Sequence, residues 1–279
     1  MFIVSGTKRS GTSMWMQILV AAGLPVLGEA FPKNWQGGAL KDANPEGFFE
    51  GPYRDGLFFA TNPAPNGNFM KPEDTRQKIV KVFVPGVLRT EYSYIEGVIA
   101  NVREWREYEA SVDRLWELDD RQRLQEAPDA PPTLRLPAEL EWWTENYALV
   151  RDRHIRGYPT LLQTYDQVLD DPEKYVARAL QLVGSGDLRA AMTAVKPARR
   201  TKKDVPSNTL EPRLAQVFDD LYAAIRGEQP FTPAFVERLI AVNKELEPKM
   251  AAARMQRARQ MIERGGPPPP VFMLAASMA

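Results

Sequence analysis

A short loop near the start of the sequence combines small residues, hydroxyl groups and positive charge. It reads GTKRSGTS over residues 6–13 and follows the apolar run at residues 2–4. Successive backbone N–H groups in such a loop, at the positive end of the following helix, bind phosphate or sulfate oxygens. Hydroxyl donors are added by Ser10, Thr12 and Ser13. The loop predicts an anion-binding site; an ordinary strand-to-helix turn with surface cations is the alternative.

The position of the positive charge separates this loop from the mononucleotide loop of kinases and ATPases. That loop reads GxxxxGK[ST], with the lysine on the terminal phosphates and the Ser or Thr on Mg²⁺. Gly6 and Gly11 keep its glycine spacing, but Thr12 stands at the lysine position. The cations lie upstream, as Lys8 and Arg9. No carboxylate at a predicted strand end is an evident Mg²⁺ ligand, so a nucleotide kinase with a degenerate loop is only the alternative.

The stretch RSGTS, residues 9–13, resembles the first loop of sulfotransferases that use 3′-phosphoadenosine 5′-phosphosulfate (PAPS). In that family the loop reads [KR]-S-G-T-[ST] after a strand and holds the 5′-phosphosulfate. The resemblance implies this role for Arg9, Ser10, Gly11, Thr12 and Ser13. It also implies that Arg9 stabilises the bridging oxygen as the sulfuryl group leaves and that the transfer needs no metal. Lys8 and the loop amides would share in stabilising that charge.

A second landmark of the same family is its site for the donor's 3′-phosphate. There an arginine at a strand end is followed eight positions later by a serine, and VREWREYEAS places Arg103 and Ser111 at that spacing. If a helix begins near Glu104, Ser111 lies about two turns along it and Arg103 at its mouth reaches the same anion. The resemblance therefore implies a 3′-phosphate site at this pair.

Two longer stretches resemble the family's framework, and two features depart from it. NPEGFFE is similar to its NPxGxxE segment, and LLQTYDQVLDDPEKYVARALQLVG to a strand-and-helix block in which Tyr165 falls beside the cofactor. Met14 stands where many members carry an adenine-stacking tryptophan, and the adjacent Trp15 is predicted to be core. The late cofactor loop has no clean counterpart. In the basic stretch VKPARRTKKD, Arg199 and Arg200 are candidate cofactor contacts, with a solvated surface as the alternative.

Transfer to a hydroxyl or amine also needs a group that takes the acceptor's proton. His154 lies in the basic string RDRHIRG and is predicted to be a surface residue. Glu29, in VLGEAFP, resembles the glutamate base of protein-tyrosine sulfotransferases, where a G-E pair follows the first helix at a similar distance. It must be partly buried to act as a base beside the loop cations, and a structural partner of those cations is the alternative. Glu46 and Glu50 are lesser candidates.

Strands that alternate with helices must position these residues. Strands are predicted at residues 2–4 and in LPVLGE, QKIVKVFVPGVL, YIEGVIANV and YPTLLQTY. Helices are predicted from Thr12, in REWREYEASVDRLWEL, LPAELEWWTENYALVRDRHI and DDPEKYVARALQLVG, and over most of residues 209–264. In the fourth helix Asp171 is the N-cap, Pro172 the first position and Gly184 the residue past the end. This alternation favours a mainly parallel sheet covered on both faces.

Composition narrows the class of protein. A chain of 279 residues with 44% hydrophobic content supplies the core of one sizeable α/β domain. Its 36 basic and 36 acidic residues cancel, so no global field attracts nucleic acid or an anionic membrane. The absence of cysteine excludes disulfides, thiolate zinc sites and cysteine nucleophiles. No apolar run approaches the roughly 18 residues of a membrane span, so we expect a soluble, cytoplasmic protein.

Together these observations predict an α/β protein with a mainly parallel sheet flanked by helices, of the P-loop NTPase-like sulfotransferase fold. We expect one domain over residues 1–264, loop insertions near residues 32–76 and 119–137, and a Pro-rich and apolar tail over residues 265–279. The predicted function is PAPS-dependent sulfuryl transfer to a hydroxyl or amine of a small-molecule, glycan or peptide acceptor, with no metal site. A noncatalytic nucleotide- or anion-binding module is a further alternative, and monomer and dimer both stay open.

Overall fold

The centre of the protein is a sheet in which every strand runs parallel to its neighbours. The computed structural model describes residues 1–31, 47–64, 67–129, 131–196, 205–207 and 209–263. Within these ranges the strands are β1 Phe2–Ser5, β2 Val26–Leu27, β3 Ile79–Lys81, β4 Gly97–Val102 and β5 Thr160–Thr164. Their order across the sheet is β2-β3-β1-β4-β5, so β1 occupies the centre.

Helices cover both faces of this sheet. They are α1 Thr12–Ala21, α2 Pro72–Thr75, α3 Val84–Arg89, α4 Trp105–Glu126, α5 Ala138–Arg156, α6 Tyr165–Asp170, α7 Pro172–Val183, α8 Leu188–Met192, α9 Pro212–Arg226 and α10 Pro233–Glu263, with a 3₁₀ turn at Tyr92–Tyr94. α1, α7 and α8 pack on one face. α3 and part of α5 pack on the other, where α4, α9 and α10 add a second layer.

The central strand β1 is mostly apolar because both faces of the sheet are covered. All residues of β1 are buried. Phe2 and Val4 pack against the α1 side, and Ile3 packs against the α3 side, as the two-residue period of a strand requires. Ile3 pairs with Val80 of β3 and Val98 of β4. A continuous apolar run is the pattern expected for a central parallel strand.

The connections leave β1 and β4 in opposite directions. β1 leads through α1 to β2 at one edge of the sheet, whereas β4 leads through α4 and α5 to β5 at the other edge. Open α/β sheets bind ligands outside the carboxyl ends of neighbouring strands whose connections diverge in this way. Because the first loop follows β1 and Arg103 follows β4, both candidate elements lie at this position.

Large aromatic side chains hold the second helical layer together. The Trp142 and Trp143 rings of α5 stack on Phe218 of α9, with ring centroids 5.3 and 4.7 Å apart. Trp105, the first residue of α4, meets the same phenylalanine edge-on at 5.8 Å. Each of these four side chains is fully buried. The packing fixes α5 rigidly beside the start of α4 and the end of β4.

The predicted parallel α/β arrangement is confirmed, and so are the ends of α7. Asp171 caps this helix, its side chain accepting a hydrogen bond from the Lys174 N–H at 3.3 Å. Gly184 follows the last turn with a left-handed φ of 80°. Trp15 is fully buried, as predicted. Strand β3 is shorter than the predicted stretch, because helix α3 already begins at Val84.

The prediction of a loop over residues 119–137 is wrong in its first part, because α4 continues to Glu126. Charged side chains one turn apart stabilise this exposed end. The Arg123 guanidinium lies 3.4 Å from the Asp120 carboxylate, and Arg135, from the segment that follows, also pairs with Asp120. The first proline of the stretch is Pro128, just past the helix end.

Parts of the predicted insertions and tail lie outside the described residues. These parts are residues 32–46 and 65–66 of the first insertion, residue 130 of the second, and the whole of 265–279. Across the ranges that the structure covers, no helix combines the length and the apolar character needed to cross a membrane.

Candidate anion-binding site

The first loop is a tight turn that needs glycine at both ends. Gly6 and Gly11 have positive φ angles of 151° and 96°. A side chain at Gly6 would collide with the carbonyl oxygen of Asn101 on β4. A Cβ at Gly11 would lie 2.8 Å from the ring of Tyr165 and 2.9 Å from the Asn101 amide. The glycines therefore let the loop pack directly against the ends of the neighbouring strands.

Hydrogen bonds within the loop and from β4 hold its shape. The Ser10 hydroxyl and backbone N–H both donate to the Thr7 carbonyl, at 2.7 and 3.1 Å. The Asn101 side-chain amide donates to the Ser10 carbonyl. Ser10 and Thr7 are fully buried. The Ser10 hydroxyl, predicted to donate to a bound anion, thus donates its hydrogen bond within the loop and stabilises the turn.

Helix α1 begins in this loop without a side-chain cap. Gly11 is the N-cap, no side chain bonds the first-turn amides, and no acidic residue lies in the first turn. Thr12 and Ser13 form the first positions, one buried and the other half-buried. Open N–H groups and the positive end of the helix dipole together favour an anion at this point.

The structure brings the loop to the Arg103 and Ser111 pair. The Arg9 Nε donates to the Ser111 hydroxyl at 3.2 Å, from a backbone with a φ of 67°. The Arg103 guanidinium donates to the Arg9 carbonyl, also at 3.2 Å. Arg103 and Ser111 are buried, and Arg9 is half-buried. The predicted contact points for the two ends of the donor therefore lie side by side, and the Arg9 guanidinium points to the serine of the 3′-phosphate pair.

Positive charge accumulates here. Arg103 has a carboxylate partner, since its Nε lies 3.4 Å from Glu107. Arg9 has two cationic neighbours, Arg103 and Arg114. Burial, followed by repulsion from these two arginines, lowers the pKa of Arg9. An anion bound between them would remove this repulsion.

Tyr165 connects β5 to the site. Its ring centroid lies 5.2 Å from the Arg103 guanidinium carbon, within the range of a cation–π contact. The same ring closes the space above Gly11. Tyr165 is half-buried.

Lys81, the last residue of β3, is a component of the site that the sequence prediction missed. Its buried ammonium donates to the Ser13 hydroxyl at 3.2 Å and to the Phe48 carbonyl at 3.0 Å. Its ion pair with Glu50 spans 3.3 Å. Burial lowers the pKa of Lys81, and Glu50 opposes that shift. A lysine that ends an apolar strand of a parallel sheet was the available signal, because ligands bind at that edge.

Three of the predicted side chains are placed at or near the surface. Lys8 is exposed on the loop, and His154 is exposed on α5, as predicted for the latter. Glu29 is also exposed; its backbone N–H donates to the Glu50 carbonyl at 3.2 Å. Glu46, Arg199 and Arg200 lie outside the described residues.

Glu50, in contrast, is buried and surrounded by cations. Its carboxylate pairs with Lys81 and with Arg54, each at 3.3 Å. Two ion pairs engage its oxygens. This carboxylate fixes the lysine beside the loop and acts as its structural partner.

Carboxylates accumulate where α4 faces α5, next to the cationic loop. Burial and repulsion raise the pKa of Asp113, beside Glu109, and of Glu139. Further along α5, burial and Glu141 raise the pKa of Glu145 to about 8, while Lys8 lowers it. A cationic region and an acidic region thus lie next to each other at one end of the sheet.

Comparisons with known proteins add no family to this geometry. No model of a known protein family matches the chain, and a search of curated proteins finds no significant match. Among the described residues, no group of three or more His, Asp or Glu side chains is arranged to hold a metal ion. The function of the protein must therefore be inferred from the site itself.

Proposed function

We propose that this protein is a sulfotransferase that moves the sulfuryl group of PAPS to a hydroxyl or amine acceptor. The observation that carries the proposal is the contact between the first loop and the distant arginine and serine. Arg9 donates to Ser111 and Arg103 donates to the Arg9 carbonyl, each at 3.2 Å. The first loop is thereby joined to Arg103 and Ser111, the second proposed anion-binding pair. PAPS requires two such sites because it carries anionic groups at both ends of its nucleoside.

The residues present fit the two ends of such a donor. The uncapped start of α1, with Thr12 and Ser13, suits the 5′-phosphosulfate. Arg103 and Ser111 suit the 3′-phosphate. The lowered pKa of Arg9 favours the same assignment, because bound anions would compensate cations that repel one another in the free protein.

In the proposed reaction the acceptor oxygen or nitrogen attacks sulfur in line with the leaving group. The new bond to sulfur forms as the bond between sulfur and the bridging oxygen breaks, and 3′-phosphoadenosine 5′-phosphate (PAP) leaves with that electron pair. Charge develops on the 5′-phosphate, where the α1 amides and Lys81 would stabilise it. The acceptor's proton must pass to a base.

The position of Lys81 favours this reaction over phosphoryl transfer by a degenerate kinase. Ser13 occupies the place of the Ser or Thr that binds Mg²⁺ in GxxxxGK[ST]. In this protein its hydroxyl accepts a hydrogen bond from the Lys81 ammonium at 3.2 Å. A fixed ammonium supplies positive charge at that point and repels a divalent cation. Thr12 stands at the lysine position of GxxxxGK[ST], and Lys81 of β3 places an ammonium beside the next residue, Ser13.

Calorimetric titration of the purified protein tests the proposal. PAP without Mg²⁺ is expected to bind tightly, and adenosine 5′-monophosphate, which lacks the 3′-phosphate, to bind at least about 100-fold more weakly. ATP with Mg²⁺ is the comparator. If ATP with Mg²⁺ binds and PAP does not, the kinase function replaces the proposed sulfotransferase function. If PAP binds but PAPS is not turned over with any phenol, alcohol, amine or water, the protein is a noncatalytic nucleotide-binding module.

A further inference from the structure

Two carboxylates lie on the inner side of α5, close to the cationic loop. Glu141 and Glu145 are four residues apart and therefore neighbours on one face of the helix. The same face carries Trp142 and Leu149, which are almost completely buried. The Trp142 indole N–H donates to the Arg103 carbonyl at 2.8 Å. This hydrogen bond fixes the face of α5 that carries Glu145 to the end of β4, where the candidate anion site begins.

Three charged or titratable groups act on or face Glu145. Glu141 repels it from the preceding turn of α5, and Lys8 attracts it from the first loop. Tyr108 faces both glutamates from α4. The Tyr108 side chain is fully buried, and its burial together with Glu141 and Glu145 raises the pKa of its hydroxyl well above the ordinary value. Glu145 thus lies between an acidic helix face and the cation that precedes Arg9.

The other candidate bases are less well placed. Glu29 is exposed at the edge of the sheet, although partial burial was required for that role. Glu50 is buried but is held in ion pairs with Lys81 and Arg54 at 3.3 Å. His154 is exposed near the far end of α5. Glu145 combines partial burial with electrostatic contact to the loop.

We propose that Glu145 is the base that takes the proton of the acceptor, an assignment that rests on the proposed sulfuryl transfer. The acceptor's O–H or N–H bond breaks and its proton passes to the Glu145 carboxylate. The freed electron pair forms the bond to sulfur, and the bond from sulfur to the bridging oxygen breaks to release PAP. Glu145 then returns its proton to solvent.

The surroundings of Glu145 suit a base that works near neutral pH. Burial and Glu141 raise its pKa to about 8, whereas Lys8 lowers it. A base is most effective when its pKa lies close to the working pH, since it is then both basic and partly ionised. Lys8 opposes the rise in the pKa of Glu145 and so keeps a fraction of this carboxylate ionised.

The first experiment measures the titration of Glu145 directly. Protein labelled with ¹³C at the glutamate carboxyl carbon is titrated by NMR, with the signal assigned by comparison with Glu145→Gln. We expect a midpoint near pH 8 that falls in Glu141→Gln and rises when PAP is added, because PAP brings negative charge towards the carboxylate. A midpoint that PAP leaves unchanged, although calorimetry shows PAP bound, would place Glu145 away from the site and overturn the assignment.

The second experiment follows PAPS turnover with water as the acceptor, through the release of PAP. The rate is expected to rise with pH towards a plateau above the Glu145 midpoint. Glu145→Gln should lower it by at least about 100-fold, with an unchanged Kd for PAP. Glu139→Gln is the matched control, a half-buried glutamate on the same helix, and should retain the rate. Full turnover in Glu145→Gln would overturn the assignment of Glu145 as the base. Absence of PAP binding to the unaltered protein would instead overturn the proposed sulfotransferase function.

Discussion

Two neighbouring regions at one end of the sheet carry opposite uncompensated charge. On the loop side, Arg9 lies near Arg103 and Arg114, and these cations together with burial lower its pKa. On the helix side, Glu141 and burial raise the pKa of Glu145 to about 8. In each region a buried charge has a like charge as its neighbour. A chain with equal numbers of acids and bases therefore separates them locally, at the edge where open α/β sheets generally bind ligands.

The comparison also separates charges that stabilise the fold from charges available for chemistry. The buried pair of Lys81 and Glu50 is compensated, as is the pair of Arg103 and Glu107. In Arg9 and Glu145, which are half-buried, burial and a neighbouring like charge shift protonation against the charged form. The four predictions below test this distinction, from the largest expected effect to the smallest.

Removing the compensated cation should have the largest effect on stability. Lys81→Met leaves the buried Glu50 carboxylate with Arg54 as its ion-pair partner, and we expect a loss of about 3–5 kcal/mol in the free energy of unfolding. Urea denaturation measures this loss. The double variant Lys81→Met with Glu50→Gln should recover at least half of it, because the buried carboxylate that lost its buried partner is then replaced by a neutral amide. Equal losses in the single and double variants would contradict the ion-pair explanation.

Removing the arginine of the second anion-binding pair should weaken PAP binding by about 100-fold, since a buried charge-assisted contact is lost. The variant is Arg103→Ala, and calorimetry is the measurement. Arg153→Ala, an exposed arginine in the last turn of α5, is the control. Binding of adenosine 5′-monophosphate should change much less, because it has no 3′-phosphate. An equal loss for both nucleotides would show that Arg103 supports the loop in general.

Removing the acidic charge should stabilise the protein, but only at high pH. The pKa of Glu145 is raised in the folded state, so the folded protein holds a proton that the unfolded chain has lost between about pH 4.5 and 8. Stability therefore falls as pH rises through this window. Glu145→Gln removes that loss and should be more stable than the unaltered protein by about 1–3 kcal/mol at pH 9, with little difference at pH 4. Thermal unfolding at both pH values provides the check, and a gain of equal size at each would contradict it.

The smallest effect tests whether backbone geometry matters beside charge. Gly11→Ala and Gly23→Ala each force a side chain on a positive φ, of 96° and 82°. No atom lies within 4 Å of the added Cβ at Gly23, whereas at Gly11 it meets the Tyr165 ring at 2.8 Å. We expect Gly23→Ala to lose about 1 kcal/mol and Gly11→Ala about 1 kcal/mol more. Gly11→Ala should lose PAP binding, whereas Gly23→Ala should retain it. Equal stability and equal PAP binding in the two variants would show that the first loop tolerates a side chain at Gly11.

The sequence was informative where local chemistry determines structure. The apolar run at residues 2–4, the glycines of the first loop and the Asp171 cap each predicted an element that the structure confirms. The spacing of Arg103 and Ser111 indicated a pair, and the structure brings Arg9 to it. The charge and the prolines of residues 119–137 predict a loop, but in its first part side-chain pairs one turn apart stabilise a helix.

The rest depended on contacts between distant parts of the chain. Lys81 reaches Ser13 only because β3 lies beside β1, and no local pattern gives that strand order. Glu145 has an altered pKa because α5 folds back on the first loop, which brings it near Lys8. Charges acquire their chemical character from such neighbours, and the neighbours are set by the order of strands and the packing of helices.

The strand order β2-β3-β1-β4-β5 has a consequence for how the site comes into being. The first loop, Lys81, Arg103 and Tyr165 lie at the carboxyl ends of four different strands that are separated by long stretches of chain. No fragment holding only one or two of these strands contains the site. Parallel pairings of this kind form late, because their closing loops are long and costly in entropy. A bound nucleotide would therefore slow unfolding of the whole sheet, and protection of β1 and β4 amides from hydrogen exchange should increase together on binding.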